Sequence, residues 1–413
     1  MQPDLFPDPA PAEAPATRAE GLRRLASFRP RMGRYAAVRN EDRGPGDRSN
    51  VSMLSPWLRR RLVTEREAIE AALESYAPST VDKFVSEVLW RSYFKGWLEQ
   101  RPEVWTDWRD GLARDRRAAA GNRGLAEALA AAEAGRTGIA PFDAWARELV
   151  DTGYLHNHAR MWFASIWIFT LRLPWRMGAA FFLRHLLDGD PASNTCSWRW
   201  VAGLHTPGKN YVARASNITK YTGGRFGAVH GLAASPAPLD EGPLPPRRPL
   251  REAPPPRFER PTALLILEDD LSLETELPVA KAVSVATLPL SAFRCPDPAA
   301  GPGAFEAAAL ADAAARAEAA GAPPAVALPP DPEALVGWAR AAGAERIVTG
   351  FLPVGWARDW IDRRARPALA EAGIALEEHR RDWDAALWPH AGGGFFKLRQ
   401  AAPGALRALG LAL

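Results

Sequence analysis

Between Gly153 and Trp200 the chain sets a dense group of polar, charged and aromatic residues into an otherwise apolar helical pattern: GYLHNHARMWFAS, then LPW, then LLDGDPASNTCSWRW. Arg160, Asp188 and Asp190 are ionised groups beside hydrophobic neighbours, and burying such groups is costly unless they pair or hold a ligand. At helical spacing Asn157, Arg160 and Met161 share one face, as do Asp190, Asn194 and Trp198. Faces of this kind suit a flat aromatic cofactor with a polar edge. Asp190 followed by Pro191 reads as an N-cap and a first helical residue, so a helix carrying Asn194, Trp198 and Trp200 is expected to start there. His156 and His158 stand two apart, which does not put both on one helical face, so no metal site is expected. His156 reads more readily as a structural histidine than as a proton donor.

Three other segments carry candidate chemistry. In RSNVSMLSPWL, downstream of Tyr35 and Arg39, serine hydroxyls and free N–H groups at a helix start suit a pyrophosphate. A plain serine N-cap with Pro56 at the first helical position describes the same residues. In FVSEVLWR, Glu87, Trp90 and Arg91 share a helical face, which also fits an amphipathic helix with a buried tryptophan and a solvated Glu/Arg pair. Lys209, Arg214, Lys220 and Arg225, with Tyr211 and Tyr221, are of the type that contacts phosphates and bases, and Arg59-Arg60-Arg61 could serve likewise. A solvated basic surface accounts for them equally well.

Composition sets bounds. A chain of 413 residues predicts two or three domains. The charged fraction of 24% and hydrophobic fraction of 47% are ordinary for a globular protein, and a net charge of +4 permits an anionic partner without requiring one. Cys196 and Cys295, the two cysteines, fall in different expected domains, which excludes a disulfide framework and fits a reducing, cytoplasmic setting. The start, MQPDLFPDPAPAEAPA, is acidic and proline-rich and does not read as a secretory signal. The most apolar run, Met161 to Thr170, is about half of the ~20 residues a membrane span needs, so no membrane association is expected. Eleven of the sixteen tryptophans precede residue 234, which suggests stacking or redox roles there as well as core filling.

The elements that must position these residues follow from periodicity. Residues 1–19 are Pro/Ala/Asp-rich and expected to be disordered. Residues 20–232 carry apolar spacings of three and four and are expected to form an all-α domain. Residues 233–261 have proline at nearly every third position, as a linker does. From 262 to 413 the period changes: TALLILEDD, KAVSVATLPL, PAVALPP, AERIVTGFL and GIALEEHRR read as buried strands alternating with helices. That predicts a smaller α/β, Rossmann-like domain with a parallel sheet. Neither G-x-G-x-x-G nor a P-loop occurs.

The stretch from Gly153 to Trp200 resembles the flavin-binding core of the DNA photolyase/cryptochrome family, whose pattern runs G-[WY]-[ML]-H-N-R-x-R-M, a tryptophan, then L-[IL]-D-G-D-x-x-x-N-x-x-x-W-x-W. The resemblance covers roughly residues 20–230. It implies FAD as cofactor, with Tyr35, Ser52, Leu54, Ser55, Arg91, Asn157, Arg160, Asp188, Asp190 and Asn194 as binding residues. Arg160 and Asp188 would be paired across the ring system, Asp190 would bond its polar edge and Asn194 would face N5. It further implies that Glu87, Trp90, Asn157, Met161 and Trp200 meet a pyrimidine dimer extruded from DNA, Trp90 and Trp200 from opposite sides. Trp198 and Trp175 match the first two members of a photoreduction chain; Trp105, Trp108, Trp145 and Trp167 compete for the third place.

The chain departs from the pattern where Val51 replaces a threonine, Phe84 a tryptophan, Ser92 an acidic residue and His158 an arginine. The activity implied is light-driven repair of pyrimidine dimers in damaged DNA by a monomer, with a cryptochrome-type photoreceptor as the alternative and a cofactor-free scaffold as a third. The family usually places the α/β antenna domain first. Here its faint likeness, aGI followed by D-x-x-L-x-P, comes second, which implies a permuted order and leaves any second, antenna chromophore unknown.

Overall fold

The computed structural model describes residues 11–411. The first ten residues of the expected disordered tail lie outside that range. The rest of the tail is partly ordered, which corrects the expectation: Pro11–Glu13 form a turn, Ala16 is buried, and Thr17 caps the helix Arg18–Phe28 through Glu20 N.

Helices then follow one another to Tyr221. The central one, Pro78–Glu99, buries much of its circumference, as a helix inside a bundle must. Glu65–Leu73 and Pro191–Ala202 pack against it, and Glu103–Ala120, Asn157–Ser165 and Trp175–His185 pack in turn on Pro191–Ala202. Two glycines permit close approaches: a Cβ on Gly178 would stand 2.3 Å from the Trp198 ring, and one on Gly96 would stand 2.8 Å from Trp388. Between Thr222 and Pro261 the described chain forms no regular element, yet it is anchored: Leu239 N donates to Ala202 O and Arg248 N to Gln100 O.

The second part is a five-stranded parallel sheet, β1 Thr262–Ile266, β2 Ser284–Thr287, β3 Ala325–Ala327, β4 Arg346–Gly350 and β5 Ala375–His379. The order is β3-β2-β1-β4-β5, with Ala263 opposite Ser284 and Ile347 opposite Leu376. All five strands fall in the apolar windows that the sequence offers, and helices Ala300–Ala319, Pro332–Ala341 and Arg366–Glu371 lie between them. β1 is buried at every position, as expected for a strand covered on both faces.

The two parts share a charged boundary. Arg59, Arg60 and Arg61, at the end of the short helix Ser55–Arg59, are almost wholly buried against Glu268, Asp269 and Asp270 just beyond β1. This overturns the expectation that the arginine run could contact nucleic acid. Arg59 and Arg294 also lie over the Trp356 ring, 5.3 and 5.4 Å from its centroid. Among the described residues no helix is long and apolar enough to cross a membrane.

Candidate functional site

Asp190 caps the helix Pro191–Ala202 as the sequence predicts: its Oδ1 accepts from Ser193 N at 2.8 Å, with Pro191 in the first turn. One turn on, Asn194 donates from Nδ2 to Ala179 O at 2.9 Å and is buried. Two residues before the cap, Asp188 receives Arg160 in a two-pronged pair, Nη1–Oδ1 3.1 Å and Nη2–Oδ2 2.9 Å. Arg160 Nε donates to Leu155 O at 2.8 Å, so the guanidinium is fixed at three points.

Asp188 is a junction. Burial alone would raise its carboxyl, but Arg160, the Ser55 hydroxyl and Arg91 hold it below the usual range. Burial opposes ionisation of Asp190 as well, and there Lys95, Arg59 and Arg91 bring the carboxyl down to about 2. Both carboxylates are therefore charged at neutral pH. Half-buried groups complete the expected binding set: Tyr35, Ser52, Ser55, Arg91 and Arg160; Met161, expected to meet the dimer, is half-buried too. Leu54 is fully buried and, with no side-chain cap, precedes the Ser55–Arg59 helix. Ser55 is thus not the N-cap; it turns to Asp188 instead. Met53 takes a left-handed φ of 50°, which costs a non-glycine residue energy and bends the chain between the two serines.

A cofactor can be tested against one observation here. Arg91 Nη1 is buried without a hydrogen-bond partner, a costly state for a charged donor. An anionic group beside the serines would satisfy it, so the residues present fit a diphosphate such as that of FAD.

The remaining candidates sort unevenly. Glu87 pairs with Arg39 rather than with Arg91. Phe84, which stands in place of tryptophan, packs edge-on to Tyr35 with centroids 5.6 Å apart. Trp90 stacks on Phe395 at 3.8 Å and 7°, while Trp200 lies on Tyr211 at 5.5 Å and 26°. Asn157 is exposed at the start of its helix. His156 is the cap there, accepting on Nδ1 from His158 N, and burial lowers its pKa to about 4, as suits a structural histidine. His158 faces inward, stacked on Trp162, its Nδ1 3.0 Å from Asn40 O.

Trp198 and Trp175 are buried, but the tryptophan in ring contact with Trp198 is Trp167, at 6.3 Å and 89°. Trp175 instead donates to Glu241 in the connecting segment. Lys209, Arg214 and Lys220 are exposed, whereas Arg225 is tied to the buried Asp42 at 2.5 Å.

Sequence reasoning missed two features. Lys95, buried 3.7 Å from Asp190, was hidden within a helical run. A cavity of about 670 Å³ between the two parts is lined by aromatic rings, among them Trp105, Trp108 and Trp356, and by arginines such as Arg109, Arg116 and Arg363. Its walls come from distant stretches of sequence, and only the unused tryptophans hinted at it.

A helical bundle that presents a clamped arginine–carboxylate pair beside a serine-bearing turn can seat a flat ligand with an anionic tail. Residues 84–223 match the family described as the FAD binding domain of DNA photolyase. Over those residues the chain is similar to the DNA photolyase/cryptochrome family.

Among curated relatives, the deoxyribodipyrimidine photo-lyase of Streptomyces griseus is 38% identical over 157 residues, 38% of this chain and 33% of that protein. An enzyme of the same name from Thermus thermophilus is 35% identical over 206 residues, 48% of this chain and 44% of its own. A solved class III photolyase from Agrobacterium tumefaciens is 27% identical, with a TM-score of 0.42 over 51% of this chain and 44% of that one. The matches thus span less than half of each relative's length.

Proposed function

We propose that the helical part holds FAD and that the whole chain uses it to split pyrimidine dimers in DNA with light, in a cytoplasmic setting. The observation that carries this reading is the Arg160–Asp188 pair, fixed at three points beside the unpartnered Nη1 of Arg91. Reduced FAD, when excited by light, would supply an electron to the dimer and receive it back.

The chain's own residues do the rest. Ser52, Ser55 and Arg91 would bind the diphosphate, Arg160 and Asp188 would orient the ring system, Asp190 would accept hydrogen bonds from its polar edge, and Asn194 would stand beside its reducible nitrogen. Leu54 and the packed rings of Phe163, Phe182 and Trp198 keep water from beneath the site. A dimer inside the stack is out of reach of a buried flavin, so it must be extruded toward Met161, Glu87 and the tryptophans Trp90 and Trp200.

The order of the two parts supports a circular permutation in which the α/β unit follows the helical one. The aromatic, arginine-rich cavity between them suits a flat polyanion and is our candidate seat for a second chromophore.

Two observations favour a second reading, a photoreceptor that does not repair. His158 is turned into the core, and Trp90 already has a ring on one face. Illumination of the flavin-loaded chain with dimer-containing DNA separates the readings. Loss of dimers supports repair; a photoreduced flavin with dimers intact supports the photoreceptor.

A further inference from the structure

The ion pairs around Asp190 do not stop at the helical part. Its Oδ2 lies 3.5 Å from Arg59 Nε and 3.7 Å from Lys95 Nζ. Arg59 Nε also donates to Gly189 O at 3.2 Å, which pins the guanidinium against the turn that presents Asp190. The far side of the same guanidinium belongs to the α/β part: Nη1 donates to Asp269 Oδ1 at 3.0 Å, and Nη2 is 3.6 Å from Glu268 Oε1. Arg60 reaches Glu268 Oε2 at 3.1 Å and Leu187 O at 2.6 Å. Leu271 N donates to Arg60 O and Ser272 Oγ to Arg61 O, so backbone bonds lock the acidic turn onto the arginines. Asp190, Arg59, Lys95 and Glu268 are each no more than 2% exposed, and Asp269 is 8% exposed. Charges in such surroundings are screened little by salt and felt over several ångströms.

A packing role alone does not call for this arrangement. Buried ion pairs add little stability over apolar residues of similar size, so a relay of them ending on one carboxylate asks for another explanation. The relay alternates in kind: the Asp190 carboxylate, the bases Lys95 and Arg59, then the acids Asp269 and Glu268; burial works against the charges on Asp269 and Lys95, and Arg59 and Asp190 respectively oppose it. Arg294 and Glu306 also bear on Glu268, and Arg294 donates to Leu186 O at 2.8 Å, in the turn that leads to Asp190.

We propose that Asp269, Arg59 and Lys95 are positioning residues that set the field at the polar edge of the bound flavin, so that the α/β part governs the flavin's redox potential through Asp190. This rests on the flavin reading above. Reduction to an anionic flavin adds negative charge beside Asp190. Lys95 and Arg59 favour that charge, and Asp269 disfavours it by neutralising Arg59.

The test is the midpoint potential of FAD bound to the full chain, measured by spectroelectrochemical titration for Lys95→Met, Asp269→Asn and the double variant. FAD content and thermal unfolding are recorded alongside. Lys95→Met is expected to lower the potential, Asp269→Asn to raise it, and the double variant to return toward the parent value. A purely structural role would move the unfolding temperature and leave the potentials in place. Folded, flavin-bearing variants with unmoved potentials, or shifts of the same sign in both, overturn this inference alone. A parent chain that takes up no FAD overturns it together with the flavin reading. If Lys95→Met does not fold, Lys95→Gln with Asp269→Asn carries the same opposite-sign expectation.

Discussion

Trp90 and Phe395 lie face to face, centroids 3.8 Å apart and planes 7° from parallel. Trp90 sits on the central helix of the bundle and Phe395 opens the last helix, Phe395–Ala408, so the stack joins the bundle to the last helix of the described chain. Tyr93 reinforces it, donating from its hydroxyl to Gly393 O at 2.9 Å. Any further ring stacking on Trp90 would therefore have only its other face.

The stack predicts a measurable coupling. In a double-mutant cycle of Trp90→Leu and Phe395→Leu, chemical denaturation should give an interaction of about 0.5–1.5 kcal/mol beyond the single losses. Phe395→Ala should cost about 3 kcal/mol, because its ring is 6% exposed and leaves a cavity. Strict additivity would mean that the two rings are neighbours without being partners.

Asp188→Asn should cost the chain its flavin. The amide keeps the shape but cannot balance Arg160, which then loses one prong of its pair and the anchor that orients it. Retention of FAD should fall at least about tenfold, equivalent to ~1.4 kcal/mol. The readout is visible absorbance per mole of purified protein after dialysis. Undiminished colour would show that the pair does not touch the flavin.

Stability should fall in mild acid. Burial lowers the pKa of His156 from 6.5 to about 4 and that of His205 from 6.5 to about 3. Both are neutral in the folded chain and charge on unfolding below pH 6.5. Their contribution is thus complete above that pH and is lost as pH falls toward the folded values. Each adds a slope of about 1.4 kcal/mol per pH unit between roughly pH 6 and 4. Denaturant midpoints across that range should show the decline, and His205→Gln should flatten it by one histidine's share. An equal slope in the variant would mean that His205 is already charged when folded.

Much of the architecture could be read from local patterns. Asp190-Pro191 is a cap whose signal lies within four residues, and each strand carries its own apolar window. The arginine run was misread because three adjacent arginines are normally solvated. Their carboxylate partners stand far away in sequence: Arg59 and Asp269 are 210 residues apart, and Arg61 and Asp384 are 323 apart. No periodicity encodes such a pairing. The same distance hid the cavity and the Phe395 stack, both of which appear only once the α/β part docks on the bundle. Lys95 was obscured for the opposite reason, since a lysine at helical spacing looks like the solvated edge of an amphipathic face.

Asn194→Asp tests where residue 194 points. In the parent chain its Nδ2 donates to Ala179 O, which leaves the carbonyl oxygen as its other polar atom. An ionised aspartate could not make that donation, and it would share a buried helix turn with the charged Asp190. Burial and the like charge should therefore raise its pKa and favour the protonated acid, which can donate to Ala179 O or to a flavin nitrogen. A proton held there is available when the flavin is photoreduced, and an amide offers none of comparable acidity. The variant should keep its FAD and, after blue light, give a visible spectrum of a flavin carrying one more proton than in the parent. The difference should fade as pH rises past the new carboxyl's pKa. Superimposable photoreduced spectra across pH, with FAD retained, would place residue 194 away from N5 and leave its bond to Ala179 as a purely structural one.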